Sequence, residues 1–251
     1  MKPMTTRSQA LSVVISALLF STAAMASETS LGLGAAFNDF GYRDAGNKTL
    51  PVPLINYENG DFYLHSLTAG YYLFRDGNDS LAVDVRWSPL SFDPDDSDHR
   101  AFQSLDKRRS TAMAGLVWTH HSQWGNIRAS LDGDIMDESN GVVGDLAYLY
   151  PIHSGNWTVV PGFGVMWNSS QQNKYYYGIS GQEAARSGLN AYTPDDSWNP
   201  YMEVSVNYNF NEQWYAMASL RAASLSNEIS RSDMVDNDMS SQIVAGIGYR
   251  F

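Results

Sequence analysis

The sequence predicts an all-β fold, a single transmembrane antiparallel β-barrel. Three observations carry that prediction: a final strand that alternates and stops on an aromatic, an N-terminal export signal, and a hydrophilic chain with no run long enough for a membrane-spanning helix. In residues 241–251, Ile243, Ala245, Ile247, Tyr249 and Phe251 share one face of a strand, and Gln242, Gly246, Gly248 and Arg250 share the other. Val244 is the one apolar exception on the second face. A soluble edge strand also alternates, but it rarely ends a chain on an aromatic with another two residues before it. A closed barrel needs such a strand, apolar toward lipid, small or polar toward the lumen, and aromatic at the membrane boundary.

The N-terminus carries Lys2 and Arg7, then an apolar run over residues 10–20, then Ala24, Met25 and Ala26 before Ser27. A basic segment, a core of this length and a small-x-small site predict a secretory signal spanning residues 1–26, cut between Ala26 and Ser27. The run is shorter than the roughly 20 apolar residues that span a bilayer. Because Ser27 and not Cys follows the cut, a lipid-anchored terminus is not expected. Mean hydropathy is −0.31, which suits an exported barrel better than a helical membrane protein.

With no Cys, disulfides and thiolate metal sites are excluded. The formal charge is −11, and the signal holds cations without acids, so the exported chain is more acidic still and nucleic acid is not an expected partner. Taking 26 residues from 251 leaves enough for one barrel, residues 27–251, of about ten to twelve strands, and not for a sizeable second domain. Fifteen Tyr and seven Trp suit two interfacial girdles.

Taken in order, residues 29–38 alternate weakly. Pro51 and Pro53 interrupt residues 51–57, where a ladder accepts proline only at strand starts, edges or bulges. Phe62 and Leu64 lie on even positions but Ala69, Tyr71 and Leu73 on odd ones, so a strand over 62–74 changes face. Either a bulge lies there, or two short strands meet at residues 66–68. Splitting the segment predicts twelve strands; keeping it whole, with 39–60 as an outer loop, predicts ten, and twelve is the expectation adopted. Leu81, Val83, Val85 and Trp87 then face out against Ala82, Asp84, Arg86 and Ser88. Residues 111–120 alternate weakly, and Ile127, Ala129, Leu131 and Gly133 oppose Arg128, Ser130, Asp132 and Asp134. After a weak strand over 142–150, the row Trp157, Val159, Pro161, Phe163, Val165 and Trp167 faces out, backed by Gly162 and Gly164. Met202, Val204, Val206, Tyr208 and Phe210 form the next outward row, and 214–225 another weak strand. With the C-terminus periplasmic, long outer loops fall at 93–109, 134–140, 168–199 and 226–240, and tight turns at 75–80, 121–125, 152–156 and 211–213.

Eight charges fall on inward faces: Asp84, Arg86, Arg128, Asp132, Asp145, Glu203, Arg221 and Arg250. In a barrel of this size such residues pair and fill the lumen. Tyr249 and Phe251 are the expected C-terminal assembly signal, read by the barrel-assembly machinery. His65, His99, His120, His121 and His153 converge on no Ser and acid in any recognisable spacing, so no catalytic site is expected. The acidic run 93–98 lacks the glycine and terminal glutamate of a calcium loop, and neither metal nor cofactor is expected. Lys107, Arg108 and Arg109 either meet lipopolysaccharide phosphates at the outer rim, beside the lipid around the barrel, or balance the acids before them.

The long loop adds a more specific signal in Asn173, Tyr175, Tyr176, Tyr177 and Gly178, then Ala184 to Leu189, then Tyr192, Pro194, Trp198 and Pro200. With Pro51, Pro53 and Tyr57, the Gly70-Tyr71-Tyr72 and Ser139-Asn140-Gly141 triplets, Pro161 to Gly164 and Gly248 to Phe251, the chain resembles the MipA/OmpV family of bacterial outer-membrane proteins over its whole exported length. The resemblance implies a binding role without catalysis: a scaffold that joins a murein lytic transglycosylase to a penicillin-binding protein in peptidoglycan synthesis. A porin-like small channel or a surface adhesin acting through the outer loops is the alternative it implies. It defines no ligand residue that carries over to a numbered position here.

Overall fold

The computed structural model describes residues 29–43 and 48–251, so the expected signal and its cleavage site at Ala26 and Ser27 lie outside the described residues. The strands are β1 Ser30–Asp39, β2 Lys48–Asn59, β3 Phe62–His65, β4 Thr68–Asp76, β5 Asp79–Ser88, β6 Thr111–Ser122, β7 Gly125–Asp134, β8 Val142–Leu149, β9 Ile152–Ser154, β10 Trp157–Asn168, β11 Ser197–Asn209, β12 Trp214–Ser224 and β13 Met239–Arg250. Each pairs antiparallel with its sequence neighbours, except that the short β9 prolongs β8 along β10. The ring closes where β13 pairs with β1, from Ser30 opposite Arg250 to Asp39 opposite Ser241. This makes a closed barrel of twelve staves, the larger of the two expected numbers. Closure leaves no lipid-exposed ladder edge around most of the wall, the condition for a sheet in hydrocarbon.

The alternation places apolar side chains outward. Leu33, Phe163 and Met202 are among the most exposed large side chains, as a lipid-facing belt requires. Aromatics bracket the belt. Trp167 and Trp198 pair at the outer boundary with ring centroids 6.4 Å apart, and Trp214, Tyr249 and Phe251 meet edge to face in series at the periplasmic one. Val244, the exception in the final strand, points inward and is buried with Ala36, Val52 and Leu54, so one sector of the lumen is filled by hydrocarbon.

Residues 62–74 change face by both expected devices. Strands β3 and β4 meet at a turn where Ser66 has φ 52°, and the β4–β5 register shifts between Tyr72 and Phe74, leaving Leu73 as a bulge. Because β3 is only four residues long, β2 pairs with it over Asn56–Asn59 alone, and the part of β2 that holds Pro51 and Pro53 has a partner on one side only. That is the edge setting in which a strand accepts proline.

The long outer connections, 89–110, 135–141, 169–196 and 225–238, and the tight turns follow the expected order. They are not featureless. A turn of 3-10 helix at Pro94–Asp96 and the helices α1 Arg100–Gln103, α2 Ser170–Tyr177, α3 Gly181–Ser187 and α4 Asn227–Ser230 fold over the outer mouth, and the largest apolar core of the protein lies there.

Candidate functional site: the lumen and its outer cap

Three inward tyrosines organise the lumen by one device. Tyr63, Tyr201 and Tyr215 each stand directly opposite a glycine on the neighbouring strand, Gly70, Gly164 and Gly248. A Cβ on any of these glycines would meet the tyrosine ring end at 2.5 Å or less. Each ring therefore lies flat over its glycine and reaches the strand beyond. Tyr63 donates to Asp84 Oδ2 (3.3 Å), Tyr201 donates to Asp145 Oδ2 (2.7 Å), and the Tyr215 hydroxyl shares a hydrogen bond with Ser30 Oγ (3.0 Å). Lying over glycine satisfies each hydroxyl and adds ring contact across the ladder.

Tyr201 belongs to the main charge network. Arg128 Nη2 lies 3.2 Å from Asp145 Oδ1, 3.4 Å from Glu203 Oε1 and 3.3 Å from the Tyr201 hydroxyl. Arg221 donates through Nε (2.9 Å) and Nη2 (2.5 Å) to Glu203 Oε2, with its guanidinium 4.2 Å from the Tyr201 ring centroid. A second group joins Arg86 to Asp132 and to Ser130 Oγ (3.1 Å). Buried ions persist only when paired and hydrogen-bonded in this way. Of the eight inward charges read from the sequence, six therefore pair in the middle of the lumen. Asp84 has Tyr63 as its partner, and Arg250 lies at the periplasmic end over the Tyr215 ring (4.5 Å). The three tyrosines escaped the sequence reading; their signal is an aromatic on the inward parity opposite a glycine, visible only once register is known.

The cap is built from the motif-rich loop. Tyr176 is fully buried and donates to Arg109 C=O (3.0 Å), while Tyr42 donates to Tyr176 C=O (3.1 Å) and packs on Phe92 and Tyr177. Burial raises the Tyr42, Tyr176 and Tyr177 phenols, so all three stay neutral. The start of α3 carries a capping box in which Ser180 and Glu183 bond each other's backbone N–H groups. Glu183 also accepts from Asp106 N–H (3.0 Å) and from Arg108 (2.7 Å), an ion pair whose side chains are 4% and 8% exposed. Burial pushes the Glu183 carboxyl up, but the N–H groups of Asp106 and Ser180 and the Arg108 guanidinium outweigh it and hold it at about 2. The tyrosine run is thus a core element of the cap and not an exposed docking motif.

The remaining candidates fall into ordinary roles. Asp93 caps the short 3-10 turn and pairs with Lys107 (2.5 Å), and Arg109 pairs with Glu138 (3.6 Å), so the acidic and basic runs balance charge across the cap. His65 contacts Glu58, His120 contacts Asp79 and His153 contacts Thr158, each on a neighbouring strand. No group of three metal-ligating side chains occurs among the described residues. Between the charge network and the cap lies a cavity of about 240 Å³.

Comparison with known proteins settles the family. The family model described as MltA-interacting protein MipA matches residues 31–251. MltA-interacting protein of Escherichia coli K12 is 46% identical over 222 residues, covering 88% of this chain and 90% of that protein. The chain belongs to the MipA/OmpV family. A second relative in E. coli K12, YiaT, is 41% identical and spans 95% of this chain and 97% of its own length. Outer membrane protein OmpV of Vibrio cholerae serotype O1 is 24% identical over 78% of this chain and 76% of its own length. This MipA/OmpV protein is accordingly an outer-membrane protein, and the blocks that resemble the family lie on β2, β4, the β10–β11 wall, the cap and the final strand.

Proposed function

We propose that this protein is an outer-membrane scaffold that links a murein lytic transglycosylase with a penicillin-binding protein in peptidoglycan synthesis, and that it is not an enzyme. The observation that carries the reading is its 46% identity, over nearly the whole chain, to a protein named for its interaction with MltA. The lumen supports it, because paired charges and a packed cap occupy the path that a porin would keep open. The outer loops support it too, since they turn their motif residues inward to pack the cap.

The periplasmic side offers only short turns, whereas a stable complex usually buries more than about 1,000 Å². Docking therefore uses the periplasmic rim together with partners that are themselves held at the membrane. Trp124 on the β6–β7 turn, Tyr150 just after β8 and Ile152 at the start of β9 are exposed and are the best-placed apolar groups for such a contact. Lipid and lipopolysaccharide surround the belt, and the barrel-assembly machinery inserts the chain.

Crosslinking in cells, with conductance of the purified barrel measured alongside, tests the proposal. A scaffold yields murein hydrolases or synthases as partners and little conductance. Steady single-channel steps that change when Arg86 or Arg128 is neutralised, with no murein enzyme captured, would overturn it in favour of a channel.

A further inference from the structure

The barrel wall has a gap. The β2–β3 ladder ends at Asn56, followed by Ser66 N–H donating to Ile55 C=O (2.7 Å) and Ile55 N–H donating to Ser66 Oγ (3.4 Å). On the other flank β4 pairs with β5 only as far as Thr68 opposite Arg86, followed by Trp87 N–H to Leu67 C=O (3.2 Å). Above that level no strand of the described residues lies between the upper half of β2 and the top of β5. Residues of one parity direct their backbone groups to one side of a strand, so Pro51 and Pro53 share the side of Ile55 and face the gap. Having no N–H, they leave no orphan donor there. Through β1 they lie level with Ala35 and Leu33, and Leu33 is 68% exposed in the lipid-facing belt. The gap therefore opens toward lipid.

The cavity behind it holds buried oxygens without a hydrogen-bond partner. Asp84, Asp132 and Thr68 line it and are 5%, 2% and 1% exposed, yet Asp84 Oδ1, Asp132 Oδ1 and Thr68 Oγ1 have no hydrogen-bond partner. Among the fully buried lining atoms, Trp87 Nε1 is a further unpartnered group, a donor, and the Thr68 hydroxyl can donate as well as accept. Asp84 and Asp132 lie on one cross-strand row, separated only by Gly115. Of the charges that line the cavity, Asp39, Asp84, Asp132 and Asp145 outnumber Arg86, Arg128 and Arg221 by one. Leu90, Met113 and the Trp87 indole supply an apolar side, and Trp87 lines the cavity although its parity on β5 is outward, so the cavity reaches the wall at the gap.

We propose that this cavity binds a small organic cation, a protonated amine on an apolar body, which enters sideways from the membrane between β2 and β5. An ammonium has three donors and no acceptor, so it can serve the two carboxylate oxygens and the Thr68 hydroxyl oxygen, and it answers the acid surplus of the lining. At about 240 Å³ the cavity exceeds the roughly 150 Å³ that accepts benzene, so a single ring or a short alkyl chain fills it. A longer chain extends through the gap into lipid.

Calorimetric titration of the barrel in phosphatidylcholine nanodiscs with hexylammonium, hexanol and hexanoate, each corrected for empty nanodiscs, tests this. Saturable binding of hexylammonium alone is expected, weakened about tenfold or more by Asp84→Asn or by Asp132→Asn, each first shown to be folded by heat-modifiable gel migration. Equal binding of all three probes, or unchanged affinity in both folded variants, would overturn the cation site. Dodecylammonium should still bind with the same dependence on Asp84. Its exclusion while hexylammonium binds would overturn the lateral entry.

Discussion

Arg108, on the connection after β5, and Glu183, in the first turn of α3, lie 75 residues apart in sequence and form a buried ion pair with Nη2 and Oε1 2.7 Å apart. The pair ties two outer connections into one cap, with Glu183 accepting backbone N–H groups from both. Removing one partner strands the other in a low-dielectric setting at a cost of about 3–5 kcal/mol. Arg108→Ala should therefore loosen the cap while leaving the strand ladder in place. Faster proteolysis of residues 89–110 and 169–196 with an unchanged β signature by circular dichroism is the expected result.

The same pair makes the cap sensitive to acid. The folded carboxyl of Glu183 sits at about 2 against an ordinary value of 4.5, so its contribution is fully present above 4.5 and is lost as pH falls through 2. Protease sensitivity of the cap should rise between those values. In Glu183→Gln that step should be absent, and its persistence would assign it to another group.

Gly164→Ala should displace Tyr201, because the added Cβ falls 2.5 Å from the ring end. The Tyr201 to Asp145 bond is then lost and the ring forced from its place, at about 1–3 kcal/mol. Urea unfolding followed by heat-modifiable migration should show the lower stability. Tyr201→Phe should reproduce only the hydrogen-bond part of the loss.

Topology is open to protease mapping. Asp95, Asp96, Asp98, His99 and Arg100 are exposed on the outer side, whereas much of residues 169–196 packs into the cap. A broad-specificity protease on intact cells should cut first at 95–100 and spare the turn at 211–213. Cutting at that turn in sealed cells would reverse the orientation.

Phe251→Ala should lower outer-membrane levels severalfold yet change the melting of already folded protein little. The backbone N–H of Phe251 reaches Thr29 C=O (3.0 Å) whatever the side chain, and the exposed ring adds one aromatic contact to Tyr249, about 1 kcal/mol. Normal levels of the variant would remove its role as an assembly signal.

The sequence by itself determined the barrel, its even strand number and its lipid face, because each rests on a two-residue period or on turn chemistry that a local window contains. Ile243 to Phe251 and Met202 to Phe210 were legible for that reason, and so were the inward charges. What the tertiary structure decided depends on register and on contacts between distant loops. Only ladder pairing sets Tyr63, Tyr201 and Tyr215 over glycines, and only the shortness of β3 turns Pro51 and Pro53 into the flank of a wall gap. The Tyr175 to Tyr177 run marked the family in sequence, but its burial followed from packing against residues from more than 60 positions away, a relationship no local pattern encodes.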